Sequence, residues 1–328
     1  MNILMLYPEI RSFKKERQEQ QHYFHQNILP EIEQLEKSWG TSLDHYLKHK
    51  VFNYYALYVP VVIGNSFARL HGRQLSAHEK RLLTLLGVIT PFFDDFFDVE
   101  QLSEERIKQL MSDPFNAVPD TLMQHAFLHF GREIISTVPD VAFFQEISTQ
   151  VFAAQAGSQL QESPGISLHT NQVLARQKGG SSLLFYYSAI KAPINRQIQE
   201  LVYNTGALLQ LSNDIFDAHK DKEKNIYTLV HNYSDLRDLK TYYKQQYDAL
   251  LQQAQHCSLC LPRQQVKRYM RRPQMLFAMT FVALNKLIYQ QNKEQLQNDW
   301  RLAQRNELVC DADRWRVQVK WLKQLMYI

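Results

Sequence analysis

Three carboxylates stand among four phenylalanines in the run Phe92-Phe93-Asp94-Asp95-Phe96-Phe97-Asp98. The nearest bases along the chain are distant, Arg81 before the run and Arg106 after it. On a helix, Asp94 and Asp98 are four residues apart and Asp95 and Asp98 three, so the three side chains share one side. Like charges stacked that way repel, and apolar surroundings make the repulsion worse. A bound cation relieves both penalties. The spacing therefore predicts a Mg²⁺ site at the edge of an apolar cavity, with Asp94, Asp95 and Asp98 as oxygen ligands.

A second stretch repeats the theme. Asn213, Asp217 and Asp221 are spaced four and four, one column down a helix face. Earlier in the column stand Leu209 or Gln210 and Gly206, which predicts an apolar groove with oxygen ligands at one end. An all-oxygen set suits Mg²⁺ far better than Zn²⁺. Taken alone, such a column reads first as a solvated face paired with Lys220, Lys222 and Lys224. Two oxygen clusters, each ending an apolar helix, favour metal over solvent.

The elements that must carry these residues are helices. Ten glycines and eleven prolines in 328 residues disfavour a turn-rich β architecture, and Leu, Gln, Lys and Ala are common. The expected fold is all-α and single-domain over residues 1–328, with a charged N-terminal segment (1–45) and a C-terminal group of helices (235–328). Thr41-Ser42 would cap one helix, and Ser76 with Glu79 forms a capping-box pattern at the start of the acidic helix. Pro60 predicts a bend in the apolar stretch 43–70, and Pro91 a kink just before the aspartates. Breaks are expected at Asp113-Pro114, at Val138-Pro139-Asp140 and at Pro193-Ile194-Asn195. A short helix from His169 to Lys178 would stop or kink at Gly179-Gly180. One long helix follows to Lys222, then helices over 235–255 and 263–292, and a tail from Glu294.

Composition also excludes some classes. A net charge of +4 is too small to imply nucleic acid. Three cysteines without framework spacing fit a reducing compartment. The opening residues lack the basic segment and apolar length of a signal peptide. Val51 to Ala68 is uncharged but contains Asn53, Pro60, Gly64, Asn65 and Ser66, so it predicts a buried helix rather than a membrane span. The expectation is a cytoplasmic protein without membrane insertion.

The motifs together resemble those of the class I isoprenoid (terpene) synthases. Asp94-Asp95-Phe-Phe-Asp98 matches their first aspartate-rich motif. Gly206, Gln210, Asn213, Asp217 and Asp221, followed by Asn225-Ile-Tyr227, are similar to the second motif of the squalene and phytoene synthases. Ser66-Phe67 resembles the pair that opens the preceding helix in that group, and Arg176-Gln-Lys178-Gly179-Gly180 the basic segment that reaches the substrate diphosphate. The resemblance covers residues 60–230. It implies a helical bundle around a deep apolar pocket, three Mg²⁺ ions (or Mn²⁺) and a prenyl diphosphate substrate, C15 or C20. Asp94, Asp95, Asp98, Asn213, Asp217 and Asp221 would hold the metals. Arg176, Lys178, Arg268 and Tyr269 would contact the diphosphate. Phe93, Phe97, Phe185, Tyr186, Tyr187 and Phe216 would line the pocket, and a homodimer is the implied assembly.

Within that group, two departures bear on the reaction. Condensing enzymes carry an arginine shortly before the first motif, where this chain has Thr90-Pro91-Phe92-Phe93, and another where Phe216 stands. Both favour ionisation and cyclisation or quenching of one substrate. Head-to-head condensation is the alternative, and chain elongation is a third, half met by Asn213-Asp214. From other classes, a di-iron bundle needs two Glu-x-x-His repeats and only Glu19-Gln-Gln-His22 is present. A non-catalytic helical binding protein also fits. Cys257-Ser-Leu-Cys260 has no second pair, so structure is favoured over metal or redox function. Arg263, Lys267, Arg268, Arg271 and Arg272 read as a solvated face or a part of the diphosphate mouth.

Overall fold

Long stretches free of glycine and proline leave little to stop a helix. The computed structural model describes residues 3–193, 195–293, 299–310 and 314–327, and these are mostly helical with no strand among them. In chain order the α-helices are α1 (Ile3–Asn27), α2 (Leu29–Trp39), α3 (His45–Lys50), α4 (Ala56–Tyr58), α5 (Asn65–Leu70), α6 (Ala77–Asp98), α7 (Glu104–Ser112) and α8 (Leu122–Thr137). They continue as α9 (Val141–Ser158), α10 (Leu168–Tyr187), α11 (Arg196–Glu223), α12 (Leu236–Cys257), α13 (Arg263–Gln291), α14 (Arg305–Leu308) and α15 (Trp315–Tyr327). Among the described residues, no helix is long and apolar enough to cross a membrane. Ile194, in an expected turn, and the tail residues 294–298 lie outside the described residues.

The chain divides into two compact units. One comprises residues 7–156 and 185–193, and the other residues 1–6, 157–184 and 194–328. They are called here the α6 unit and the α11 unit.

In the α6 unit, α6 begins at the capping box foreseen from its sequence. Ser76 Oγ accepts from the Glu79 N–H at 3.2 Å, and Glu79 accepts from the Ser76 N–H at 3.0 Å. Apolar residues then recur on every face of the helix, and Leu82 to Ile89 are all buried, as expected of a central helix. It packs on α8, which packs on α2. Arg81 ties all three by pairing with Glu31 and Glu133. The helix passes through Pro91 unbroken to Asp98.

The stretch expected to bend at Pro60 contains two wide turns, π-helical at Val51–Tyr55 and Val59–Gly64. Proline has no N–H to offer the carbonyl four residues back, Ala56. Buried Gln20 supplies that donor: its Nε2 reaches Ala56 O at 2.9 Å and Thr84 Oγ1 at 2.9 Å. Gly87 of α6 lies directly against this run, and a Cβ there would stand 2.8 Å from Tyr55 O. The start of the run is capped by Asp44, which accepts from Tyr46 N and Leu47 N, rather than by Thr41-Ser42. An acceptor must stand beside the first free N–H groups, and Asp44 does.

In the α11 unit, α11 packs on α12 and α13, and α13 on α15. Gly179-Gly180 does not break α10, which continues to Tyr187. These glycines serve a close helix crossing. A Cβ on Gly179 would sit 2.2 Å from Gly206 O, one on Gly206 2.2 Å from Gly179 O, and one on Gly180 2.4 Å from the Tyr203 ring. Gly206 is thus covered by backbone and is not the wall of an open groove.

Two outcomes follow. Gly179→Val forces α10 and α11 apart against unyielding backbone, and a loss of about 3 kcal/mol is expected in urea unfolding, the upper end for overpacking. Glu79 is buried, and burial alone would raise its pKa. Arg73 and the N–H groups of Ser76 and Lys191 outweigh burial and hold it down to about 2. Its stabilising contribution is complete above the unfolded carboxylate value of 4.5 and is lost as pH falls toward 2. Glu79→Gln should therefore cost about 2 kcal/mol at pH 7, discounted because Arg73 keeps a third of its surface in water. The deficit should shrink in unfolding curves taken at decreasing pH between 5 and 3.

Candidate functional site

The aspartates of α6 are not equivalent. Asp95 is 4% exposed, and its Oδ1 accepts from Lys50 Nζ at 2.5 Å. Asp94 is half-buried with Tyr55 OH at 3.5 Å, and Asp98 is exposed. The three carboxylates therefore do not share one environment. Asp94 and Asp98 keep the accessible edge while Asp95 turns to Lys50. The bases nearest along the chain are distant, but this contact supplies one in space. Lys50 is forty-five residues away in sequence but is carried to Asp95 by the wide turns and the close approach at Gly87.

The aromatic residues around them form buried ring contacts. Phe93 meets Phe97 edge-on at 5.4 Å, and Phe97 leans on Phe152 at 5.8 Å. Phe96 packs into α8 against Phe127. Phe185 lies 5.5 Å from Phe144 and 5.8 Å from Tyr186. Tyr186 shares a 2.9 Å hydrogen bond with Thr90, and Tyr187 one of 2.9 Å with His71. Burial raises the pKa of Tyr186, and burial followed by the Asp94 charge raises that of Tyr55. Both phenols stay neutral and can only donate or share a proton.

In the α11 unit the expected column is redistributed. Asn213 is exposed, whereas its neighbour Asp214 is buried. Asp217 is half-buried with Lys220 at 3.3 Å, and Asp221 is half-buried. Asp214, Asp217 and Asp221 follow at three and four residues, also one face of a helix. Burial lifts the Asp214 carboxyl to about 6 against a hydrogen bond from Gln210 and the charge of Lys178. Burial, then the charges of Asp214 and Asp217, push Asp221 up to about 7. The Asp214 Oδ1 accepts from Gln210 Nε2 at 2.8 Å, while Oδ2 is buried with no partner among the described residues.

The end of this helix is held by an amide knot. Ile226 N returns to Asp221 O at 2.8 Å, and Asn171, wholly buried, donates to Tyr227 O at 2.8 Å and Asn232 Oδ1 at 2.6 Å. Lys178 is an electrostatic neighbour of Asp214, but Arg176, two residues away, faces differently. It donates to Asn204 Oδ1 and lies 5.5 Å over the Tyr203 ring. Phe216 is half-buried, Arg268 exposed on α13 and Tyr269 buried in the core of the unit.

Sequence reasoning did not single out Lys50 or Tyr55, which have no local signal, nor Asp214 as a site residue. The signal for Asp214 was its position three before Asp217. The donor set is hard oxygen, suited to Mg²⁺. Among the described residues, no three carboxylate, imidazole or thiol groups converge closely enough to hold a metal ion. Asp94 with Asp98, and Asp217 with Asp221, are the pairs one turn apart.

No protein-family model matches this chain, and neither does any curated protein or solved structure.

Lys50→Met leaves Asp95 buried without its cation, and about 3 kcal/mol of stability should be lost. Asp95→Asn added to that variant should recover part of it. Equilibrium unfolding of the four proteins gives the coupling directly, and a coupling near zero would mean that the pair contributes nothing.

Proposed function

We propose that this chain is a Mg²⁺-dependent class I terpene synthase that ionises a C15 or C20 prenyl diphosphate and cyclises or quenches the resulting allylic cation. The observation that carries this is the crowding of Asp214, Asp217 and Asp221 along one stretch of α11, with a buried oxygen left without a partner. Burial and crowding raise the pKa of Asp214 and Asp221, and a bound cation would favour their charged forms. The motif order along the chain, Asp94 and Asp98 first and Asn213, Asp217 and Asp221 second, supports the same assignment, as does the all-helical secondary structure. The fold would then be the helical bundle of that family.

Asp94, Asp98, Asn213, Asp217 and Asp221 would hold Mg²⁺, which when bound offsets the charge that develops on departing pyrophosphate. Lys178, beside Asp214, would contact diphosphate oxygens as a point charge. Tyr55 and Tyr186, kept neutral by burial, would present hydroxyls without adding negative charge. In the α6 unit Phe93, Phe97 and Phe185 would offer aromatic faces of the kind that stabilise a carbocation, as would Phe216 in the α11 unit. With no base in Thr90-Pro91-Phe92-Phe93, one substrate is favoured over two.

One observation favours a second reading, a non-catalytic helical binding protein. Lys50 already satisfies Asp95 without any metal.

Incubation with Mg²⁺ and geranyl, farnesyl or geranylgeranyl diphosphate separates these. Gas chromatography with mass detection should show a hydrocarbon or alcohol with the carbon number of one substrate, with pyrophosphate released only when Mg²⁺ is present. Asp94→Ala and Asn213→Ala should each lower the rate by roughly 100-fold or more while keeping the helical spectrum. A product with twice the carbons would transfer the assignment to condensation. No turnover by folded protein would leave the binding reading.

A further inference from the structure

Helices α10, α11 and α12 of the α11 unit enclose a cleft of about 550 Å³, within the size range of small-molecule sites. None of its lining residues belongs to the acidic column. Its floor is apolar and buried, with Leu208 and Leu211 from α11, Leu229 from the segment after it and Leu250 from α12. Neutral amides, including Gln172, Asn204, Gln246 and Gln253, stand around the floor.

Charge in the cleft is unbalanced. Glu200 pairs with Arg196 at 3.0 Å. Arg176 has no carboxylate within ion-pair distance among the described residues, yet its guanidinium is firmly oriented. Tyr203 lies beneath it, Asn204 Oδ1 accepts one of its N–H groups, and Asn204 Nδ2 donates onward to Gln253 Oε1 at 2.6 Å. A cation on α10, pre-set by neutral groups from α11 and α12 at the edge of a leucine-floored cavity, is arranged to meet an anion with an apolar body.

Dimensions narrow the ligand further. From Gln197 to Leu211 the lining part of α11 runs for about 21 Å at the helical rise. Spread over that length, the cavity is about as wide as one extended chain. Asn204, which holds Arg176, is seven residues or about 10 Å from Leu211, and the four leucines lie toward that end. Toward Gln197 the lining turns polar, with Glu200, Gln252 and His256. One guanidinium among neutral amides balances one negative charge and fits a carboxylate in bidentate fashion. A phosphate dianion would keep charge that nothing in the cleft answers.

We propose that this cleft binds a medium-chain alkyl carboxylate, its head on Arg176 and its chain over Leu208, Leu211, Leu229 and Leu250. The site stands apart from any prenyl diphosphate chemistry.

Isothermal titration of the full chain with sodium decanoate, kept below its micelle concentration, tests this. One saturable site is expected. Arg176→Gln should weaken it roughly 10- to 100-fold, the range for losing a charged hydrogen-bond donor, with an unchanged helical spectrum because the side chain is exposed. Ala207→Trp, which fills the cleft and leaves Arg176 in place, should abolish binding. With wild-type protein, 1-decanol should bind as weakly as decanoate does to Arg176→Gln, and decyl phosphate no more tightly than decanoate. The proposal is overturned if wild-type protein shows no saturable heat or if Arg176→Gln binds decanoate at full strength. Equal affinity for decanol, or tighter binding of decyl phosphate, would overturn it as well. None of these outcomes depends on whether prenyl diphosphates are turned over.

Discussion

A carboxylate taken out of water must be met by a cation or by N–H donors, and much of this structure follows from where those partners stand. Glu79 is answered by Arg73 and two backbone N–H groups, which joins the start of α6 to the segment ending at Lys191. Arg81 answers Glu31 and Glu133 and so draws α2 and α8 onto the same helix. Lys50 answers Asp95 and holds the first wide turn against the far end of α6. Asp214 is answered only in part, by Gln210, and that shortfall marks the C-terminal half of α11 as the place where charge remains to be met.

Backbone proximity is the second constraint. Side chains normally keep helices about 8–10 Å apart. Gly87 in one unit, and Gly179 with Gly206 in the other, remove the side chain where carbonyls must approach. The first contact brings Tyr55 beside Asp94 and Lys50 beside Asp95. The second carries α10 across α11, so that Lys178 neighbours Asp214 while Arg176 turns into the cleft with Asn204. Wide helical turns are often found at functional positions, and here the first one begins directly after Lys50 and ends at Tyr55.

Local signals translated well wherever the physics was local. The Ser76–Glu79 box, the break between α8 and α9, and the ends of α7, α11, α12 and α13 all stand close to where capping residues and proline placed them. Pro60 and Gly179-Gly180 sit within helical stretches for one reason. Their local effect is to weaken a helix, and a distant residue compensates: Gln20 for the missing proline N–H, and Gly206 for the exposed glycine backbone. Asp95 and Asp98 share a flank in the helical period, yet one is buried and the other is exposed, because the period has no knowledge of Lys50.

By itself the sequence determined the helical class, most helix ends and the two stretches where carboxylates gather, because spacing along a chain sets which side chains share a turn. Tertiary structure alone decided which carboxylates are accessible, which are paired and where Arg176 points. Burial and ion pairing depend on groups brought together from tens of residues away, and no local pattern encodes that meeting.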